Sequence, residues 1–192
     1  MKEIHCNDIA QAVARLAIDA CYRLPADMVE AMRKSREVEP SPVGRTILDQ
    51  LLENAGIAAE GQIPLCQDTG ITVVFAEIGQ DVHIVGGAFE DAVNEGVRRG
   101  YTDGYLRKSC VFEPLFERKN TGDNTPAVLH SRLVPGDRLR LRLAPKGAGS
   151  ENKSVLKMLV PADGIEGVRK VVLDAVLAAG PNSCPPLVVG VG

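Results

Sequence analysis

The chain of 192 residues has no tryptophan, and aromatic residues make up only 4% of it. Proteins that stack the bases of single-stranded nucleic acids need exposed aromatic rings, so this composition does not favour one. The net charge of −3 gives no basic surface for a phosphate backbone either. We therefore expect no nucleic-acid partner.

Long apolar runs are also missing. No stretch reaches the roughly 20 apolar residues that span a bilayer, and Met1–Asn7 contains no apolar signal segment. The five cysteines are odd in number and widely scattered, which does not indicate a disulfide framework. We expect a protein without membrane attachment, in the cytoplasm, where thiols stay reduced.

Apolar residues at helical spacing dominate the first third of the chain. The pattern predicts a helix from Asp8 to Leu24 with Asn7 as its N-cap, and Pro25 ends it. Two more helices are predicted, over 26–36 and 43–54, followed by a loop over 56–62.

The rest of the chain mixes strands and helices. A β-branched run predicts a strand over 71–78, which we expect to pair with 82–85 across a Gly79–Asp81 turn. In a later strand three leucines alternate with three arginines, which is typical of one dry face and one cationic, solvated face. Further elements are predicted as helix 89–99, loop 118–126, strands 127–133 and 137–143, and helices 150–159 and 164–179.

These elements predict an α+β fold in a single domain over residues 1–192. A helical part, about 1–62, packs on a mixed β-sheet in a part that covers about 63–192. The chain ends in a valine-rich segment broken by glycines, which normally leads into further structure, so we expect the domain to be incomplete at its C-terminus.

Two motifs in the sheet-containing part carry chemically useful groups. Pro64–Gly70 places Cys66 beside an amide, a carboxylate and a hydroxyl just before a strand, although a plain Asp-Thr-Gly turn with a buried thiol explains it equally well. Tyr105–Cys110 contains Arg107 and Lys108, which could hold a carboxylate, since a guanidinium pairs with it through two hydrogen bonds. Taken alone, that second motif is better explained as a solvated basic turn.

Two further motifs lie near the end. Pro145–Ser154 is a glycine-rich turn in which Ser150 could cap a helix, and free backbone N–H groups there would bind a small anion. It lacks the sequence of a nucleotide-binding loop. Gly180–Pro186 holds Cys184 between prolines, and proline often follows a cysteine that binds an iron–sulfur cluster. An ordinary capped turn and an incidental cysteine remain the plainer alternatives.

Together, and in this order, the motifs resemble those of the class I fumarases and of the alpha subunit or region of iron–sulfur tartrate dehydratases. The resemblance extends over nearly the whole chain. The segments that carry it are Leu65–Gly70, Tyr105–Ser109, Asn120–Pro126, Lys146–Asn152 and Cys184–Pro186.

The resemblance implies a hydro-lyase that reversibly hydrates a small dicarboxylic acid, with fumarate to malate as the first choice and tartrate dehydration as the alternative. It implies a [4Fe–4S] cluster held by three cysteines, two of them Cys66 and Cys184. Gln67, Asp68, Arg107 and Gly149 fall at substrate-binding positions, with Gly147 as the other candidate in the glycine loop. Asp68 is also the candidate catalytic group for proton handling.

The same resemblance places the third cysteine and the catalytic base in a C-terminal region or beta subunit. We therefore expect an oligomer, and no activity from the 192 residues alone. Three other interpretations stay open: a zinc or redox module built on Cys66 and Cys184, a small-anion-binding domain built on the glycine loop, and a non-catalytic assembly domain. Zinc sites usually show close Cys or His pairs, and this sequence has none.

Overall fold

Two helices, α1 (Cys6–Tyr22) and α4 (Phe89–Asp103), pack against each other at the centre of the core in the computed structural model, which describes residues 1–192. Glycine permits the close approach of the two helices. A Cβ at Gly96 would lie 2.6 Å from the carbonyl oxygen of Ala10 and 2.6 Å from the Cβ of Val13. The chain divides into two compact units, Met1–Pro145 and Lys146–Gly192.

The helical prediction for the first third is confirmed in its main lines and wrong at two boundaries. His5, not Asn7, caps α1, because its Nδ1 accepts the N–H of Asn7 at 3.1 Å. The loop predicted over 56–62 is absent, since helix α3 (Pro42–Gly61) runs through it until Gln62 takes the left-handed conformation at φ 52°. Helix α2 (Ala26–Val38) packs on α3.

A three-stranded sheet lies against these helices, with strand order β4-β2-β5. Strand β2 (Ile71–Gly79) runs parallel to β4 (Val128–Val134), and β5 (Leu139–Lys146) is its other neighbour. The predicted alternation of β5 is confirmed, because its leucines pack on the core while its arginines are exposed.

The expected hairpin between 71–78 and 82–85 is wrong. Strand β3 (Val82–Val85) pairs in parallel with the N-terminal strand β1 (Lys2–His5). The backbone N–H groups of Gly79 and Asp81 donate instead to the carbonyl oxygens of Arg138 and Gly136, at 2.9 and 3.0 Å. The chain therefore leaves the sheet at this point and cannot turn back along β2.

The second unit is formed by helix α6 (Gly164–Ala179), the one-turn helix α5 (Ala148–Glu151) and two 3₁₀ helices, Pro161–Asp163 and Gly180–Ser183. The prediction of α6 is confirmed. The helix predicted over 150–159 is wrong, because the helical turn ends at Glu151. Val160 is extended ahead of Pro161, since a proline disfavours the helical conformation of the residue before it.

The predicted α+β class, with helices packed on a mixed sheet, is confirmed. The division into a helical part and a sheet-containing part near residue 62 stays a prediction. None of the helices is long and apolar enough to cross a membrane.

Replacing Gly96 tests the close packing of α1 and α4. We expect Gly96→Ala to lower the free energy of unfolding by about 1–3 kcal/mol, because the added methyl group would overlap backbone and Cβ atoms of α1. The matched control is Gly56→Ala in α3, where a Cβ meets no atom within 4 Å. That change should stabilise the helix slightly, since alanine forms helices better than glycine. Urea unfolding of both variants checks this, and equal effects at the two sites would contradict it.

Candidate functional site

Three loops of the first unit meet around the fully buried side chain of Asn124. Its Oδ1 accepts the N–H groups of Ser109 and Cys110, at 2.6 and 3.2 Å, and its Nδ2 donates to the carbonyl oxygen of Gly70 at 3.0 Å. The Cys66–Gly70 loop, the Tyr105–Cys110 segment and the Asn120–Pro126 loop are thereby joined through one amide group. Asn124 itself is left-handed at φ 63°, a conformation that asparagine tolerates better than most residues.

Tyr101 supports the same junction from helix α4. Its hydroxyl donates to the carbonyl oxygen of Thr69 at 2.7 Å, and burial raises the pKa of Tyr101 to about 12, so the phenol stays a donor at any ordinary pH. The buried Thr69 in turn donates its hydroxyl to the carbonyl oxygen of Arg107 at 2.8 Å. The Cys66–Gly70 loop and the segment that contains Arg107 are therefore in direct contact.

The loop before β2 presents Cys66 as an exposed free thiol. Its sulfur accepts the backbone N–H of Asp68 at 3.4 Å and lies 3.4 Å from Oε1 of Gln67. Backbone N–H groups directed at a cysteine sulfur are one means by which proteins tune the thiolates that hold iron–sulfur clusters. The chemistry of this loop therefore fits a thiolate ligand with one open side.

Neighbouring Cys21 differs from Cys66. Its thiol is buried on α1, and its backbone carbonyl oxygen accepts the N–H of Leu65 at 2.8 Å. Burial, assisted by the nearby sulfur of Cys66, raises the pKa of Cys21 to about 11, so it remains a neutral core residue.

Asp68 and Arg107 lie on the two sides of the hydrogen bond between Thr69 and the Arg107 carbonyl oxygen. The carboxylate of the half-buried Asp68 accepts the N–H of Gly70 at 3.1 Å, which fixes the turn that follows Cys66. The Arg107 side chain is exposed and forms no ion pair. Its guanidinium therefore remains available to an anionic ligand.

A short antiparallel hairpin continues the Arg107 segment, with a bridge between Val111 and Asn120. At its tip the carboxylate of Glu113 accepts the backbone N–H groups of Phe116 and Arg118 at 2.9 and 3.0 Å, as well as those of the two residues at 115 and 117. These bonds lower the pKa of Glu113 to about 2. The hairpin tip is therefore held by a single ionised side chain.

The second unit contains the other two predicted motifs, and they adjoin each other. A Cβ built on Gly149 in α5 would lie 3.7 Å from the carbonyl oxygen of Asn182, in the loop that leads to Cys184. Cys184 is an exposed free thiol with left-handed backbone at φ 58°, followed by a cis peptide bond between Pro185 and Pro186.

The anion-binding interpretation of the glycine loop needs correction. Ser150 is not an N-cap, because the single turn α5 begins after Gly147, and one turn carries little of a helix dipole. Lys146 is already bound within the loop, to Glu151 at 3.1 Å and to the hydroxyl of Ser150 at 2.7 Å. The role of Gly149 itself stays a prediction.

No set of three His, Cys, Asp or Glu side chains is placed to hold a metal ion. Sequence reasoning found Cys66, Gln67, Asp68 and Arg107, which the structure brings to one region of the first unit through Thr69. It did not find that Tyr101 and Asn124 hold that region together. Asn124 does lie in the Asn120–Pro126 motif, but the motif does not show that one of its two asparagines is buried.

Two variants of Asn124 test the junction of the three loops. We expect Asn124→Ala and Asn124→Gly both to lose about 2–4 kcal/mol of unfolding free energy, because either change removes the three hydrogen bonds of a buried amide. Glycine accepts the left-handed conformation without strain, so it controls for backbone effects. Thermal or urea unfolding measures both. An Asn124→Gly protein as stable as the parent would show that the amide bonds contribute nothing.

The hairpin tip should respond to acid. The folded pKa of Glu113 lies below the ordinary 4.5, so its contribution is complete above about pH 4.5 and is lost as the pH falls through about 2. We expect the amide NMR signals of residues 115–118 to move toward random-coil positions over that range. In Glu113→Gln they should be shifted already at pH 7 and insensitive to acid. Identical pH profiles in the two proteins would contradict this assignment.

Comparison with known proteins gives a consistent result. The sequence model of the family described as fumarate hydratase (Fumerase) matches residues 10–192. A provisionally named L(+)-tartrate dehydratase subunit alpha of Methanocaldococcus jannaschii is 38% identical over 189 residues, which cover 96% of this chain and 66% of the relative. The L(+)-tartrate dehydratase subunits alpha of Escherichia coli K12 and Shigella sonnei are each 28% identical over all of this chain and 63% of their own. The chain thus spans about two thirds of the length of these relatives.

Proposed function

We propose that this chain, which belongs to the fumarate hydratase (Fumerase) family, is part of an iron–sulfur hydro-lyase that adds water to, or removes it from, a small dicarboxylic acid. Hydration of fumarate to malate is the first candidate reaction. Dehydration of tartrate is the second, and it is favoured by the names of the relatives, which are tartrate dehydratase alpha subunits.

Cys66 and Cys184 are the residues that would hold the cluster. Both are exposed free thiols, whereas Cys6 and Cys21 are buried and Cys110 is half-buried with its thiol directed at the carbonyl oxygen of Asn124. When bound, a [4Fe–4S] cluster of this kind supplies an open iron that acts as a Lewis acid toward the substrate. The third cysteine would come from the region or subunit that completes the enzyme.

The observation that carries this proposal is the hydrogen bond between the Thr69 hydroxyl and the carbonyl oxygen of Arg107. It joins the loop that presents a soft thiol to the segment that presents an unpaired guanidinium. A diacid that approaches an iron at Cys66 would therefore meet a cation that can pair with its carboxylate through two hydrogen bonds. A structural zinc module would need no such cation beside its ligand.

Individual roles follow from residue chemistry. Arg107 would bind one substrate carboxylate, and the exposed amide of Gln67 and the backbone N–H of Gly149 would contribute hydrogen bonds. Asp68 would accept or return a proton near the reacting carbon, a role that suits a carboxylate beside the site. Its half-buried position and its fixed turn with Gly70 would hold the carboxylate in one orientation.

A partner is part of the proposal, because the related proteins carry the name alpha subunit. We infer that a beta subunit or a C-terminal region supplies the missing ligand and the catalytic base, and that the complete enzyme is an oligomer. We also assign it to the cytoplasm, since a reducing compartment would keep Cys66 and Cys184 as thiols.

Cysteine variants of the complete enzyme, reconstituted without oxygen with iron and sulfide, test the proposal. We expect Cys66→Ser to lose most of the bound iron, the visible absorption of the cluster and all turnover of both fumarate and tartrate. Cys110→Ser is the matched control, because its hydroxyl can keep the bond to the carbonyl oxygen of Asn124 and it should retain its iron.

The outcomes separate the parts of the proposal. A Cys66→Ser enzyme with normal iron content would show that Cys66 is not a ligand. Zinc in place of iron in protein purified without oxygen would favour the zinc module. A reconstituted parent enzyme that turns over neither acid would leave the cluster assignment intact and overturn the substrate class.

A further inference from the structure

A cavity of about 540 Å³ lies on the solvent face of the three-stranded sheet, on the side opposite the helices. We call it the sheet-face cavity. Its volume is within the roughly 300–1,000 Å³ that is usual for small-molecule sites. No part of the proposed hydro-lyase site uses it. The side chains that define it are Phe75, Glu77, His130, Arg132, Arg140 and Arg142.

Strand register assembles this cavity. Strands β2 and β4 are parallel, with Phe75 opposite His130 and Glu77 opposite Arg132. The Phe75 and His130 rings stack, with centroids 5.1 Å apart and an interplanar angle of 15°. Because side chains alternate between the faces of a strand, residues two apart in β2 and in β4 share the solvent face. One end of the cavity is therefore aromatic and the other is charged.

The charged end holds more cations than its carboxylate can neutralise. Glu77 forms ion pairs with Arg132 and, at 3.4 Å, with Arg140. The hydrogen bond from Arg132, aided by the charges of Arg140 and Arg142, lowers the pKa of Glu77, so the carboxylate is ionised at neutral pH. Arg142 forms no ion pair. Three guanidinium groups against one carboxylate leave two positive charges uncompensated, on a chain whose net charge is −3.

The neighbouring guanidinium groups are placed to act together. Arg140 and Arg142 are two residues apart on one face of β5, a separation of about 6.6 Å along the strand. Their side chains are long enough to converge on one small anion, and Arg132 reaches toward the same carboxylate from the other side of β2. The arginine side chains are solvent-exposed, 71% for Arg132 and 62% for Arg140, so salt screens their attraction for an anion.

We propose that the sheet-face cavity binds a small dianion, either hydrogen phosphate or a dicarboxylate, between Arg132, Arg140 and Arg142. Two negative charges match the surplus left by Glu77. The stacked Phe75–His130 pair forms the less polar wall of the cavity. This site is carried by different residues from the proposed reaction, and it stands whether or not Cys66 is a cluster ligand.

Titration of the 192-residue chain by calorimetry tests the proposal, with inorganic phosphate and succinate as separate probes and acetate as the monoanion control, all at constant ionic strength. We expect either or both dianions to bind saturably with one site per chain, and acetate not to do so. If both bind, each should displace the other. Arg142→Gln should weaken binding about tenfold, the loss expected for one charge-assisted hydrogen bond.

Two further variants make the test specific. Arg138→Gln removes the same charge from a residue that does not line the cavity, and it should leave the affinity unchanged. Glu77→Gln raises the surplus to three positive charges and should tighten binding. Saturable binding that Arg142→Gln does not weaken, or that Arg138→Gln weakens equally, would overturn the site. Failure of both dianions to bind would also overturn the site. So would binding heats that size-exclusion chromatography shows to come from dissociation of a dimer held by this face.

Discussion

The buried amide of Asn124 makes three hydrogen bonds, and the arrangement of the candidate site depends on them. Loops ordinarily satisfy their backbone groups with water at the surface. Here the N–H groups of Ser109 and Cys110 and the carbonyl oxygen of Gly70 face a side chain that is fully buried. Leaving any of these groups without a partner in a dry interior would be costly, so the three loops keep one arrangement. Cys66 and Arg107 are placed by that arrangement, although neither touches Asn124.

Helix packing provides the base on which these loops rest. Close approach at Gly96 brings α4 onto α1, and Tyr101, one turn further along α4, points its hydroxyl at the carbonyl oxygen of Thr69. Cys21 on α1 is buried in the same core, so it is a structural thiol, whereas the thiol of Cys66 is exposed. The solvent face of the sheet has a different composition. Its side chains alternate with the core residues along the strands and place arginines around Glu77.

Much of the fold could be predicted because its signals are local. Apolar spacing predicts α1, α2 and α6, and the alternation of leucine with arginine predicts the two faces of β5. The failures involve pairing and context. The partner of β3 is decided by which backbone groups the distant 134–138 segment occupies, and short-range patterns do not carry that information. The helix predicted from Ser150 failed because the helical turn there ends at Glu151, and residues 152–160 form no helix despite their apparent periodicity.

The candidate site shows the same division. The resemblance of the ordered motifs to those of the class I fumarases indicates Cys66, Asp68 and Arg107, whereas their residue chemistry alone left plain turns as alternatives. Burial does not show in a motif, so Asn124 reads as one more polar loop residue and Tyr101 as one more residue of α4. The predictions that Ser150 caps a helix and that Lys146 adds free charge to the glycine loop failed for a related reason. The sequence contains Lys146 but does not show that Glu151 and Ser150 already bind it.

The buried amide of Asn124 holds the segments that carry Cys66 and Arg107 in place before any ligand binds. Amide hydrogen exchange at Ser109 and Cys110 tests it most directly, because both residues lie outside any helix or strand and their N–H groups bond only to Asn124. We expect both amides to exchange as slowly as those of buried Val93 and Val97 in α4, which open only when the unit unfolds. Exchange at the rate of an exposed loop such as Ser154–Lys157 would show that Asn124 does not hold these segments in place.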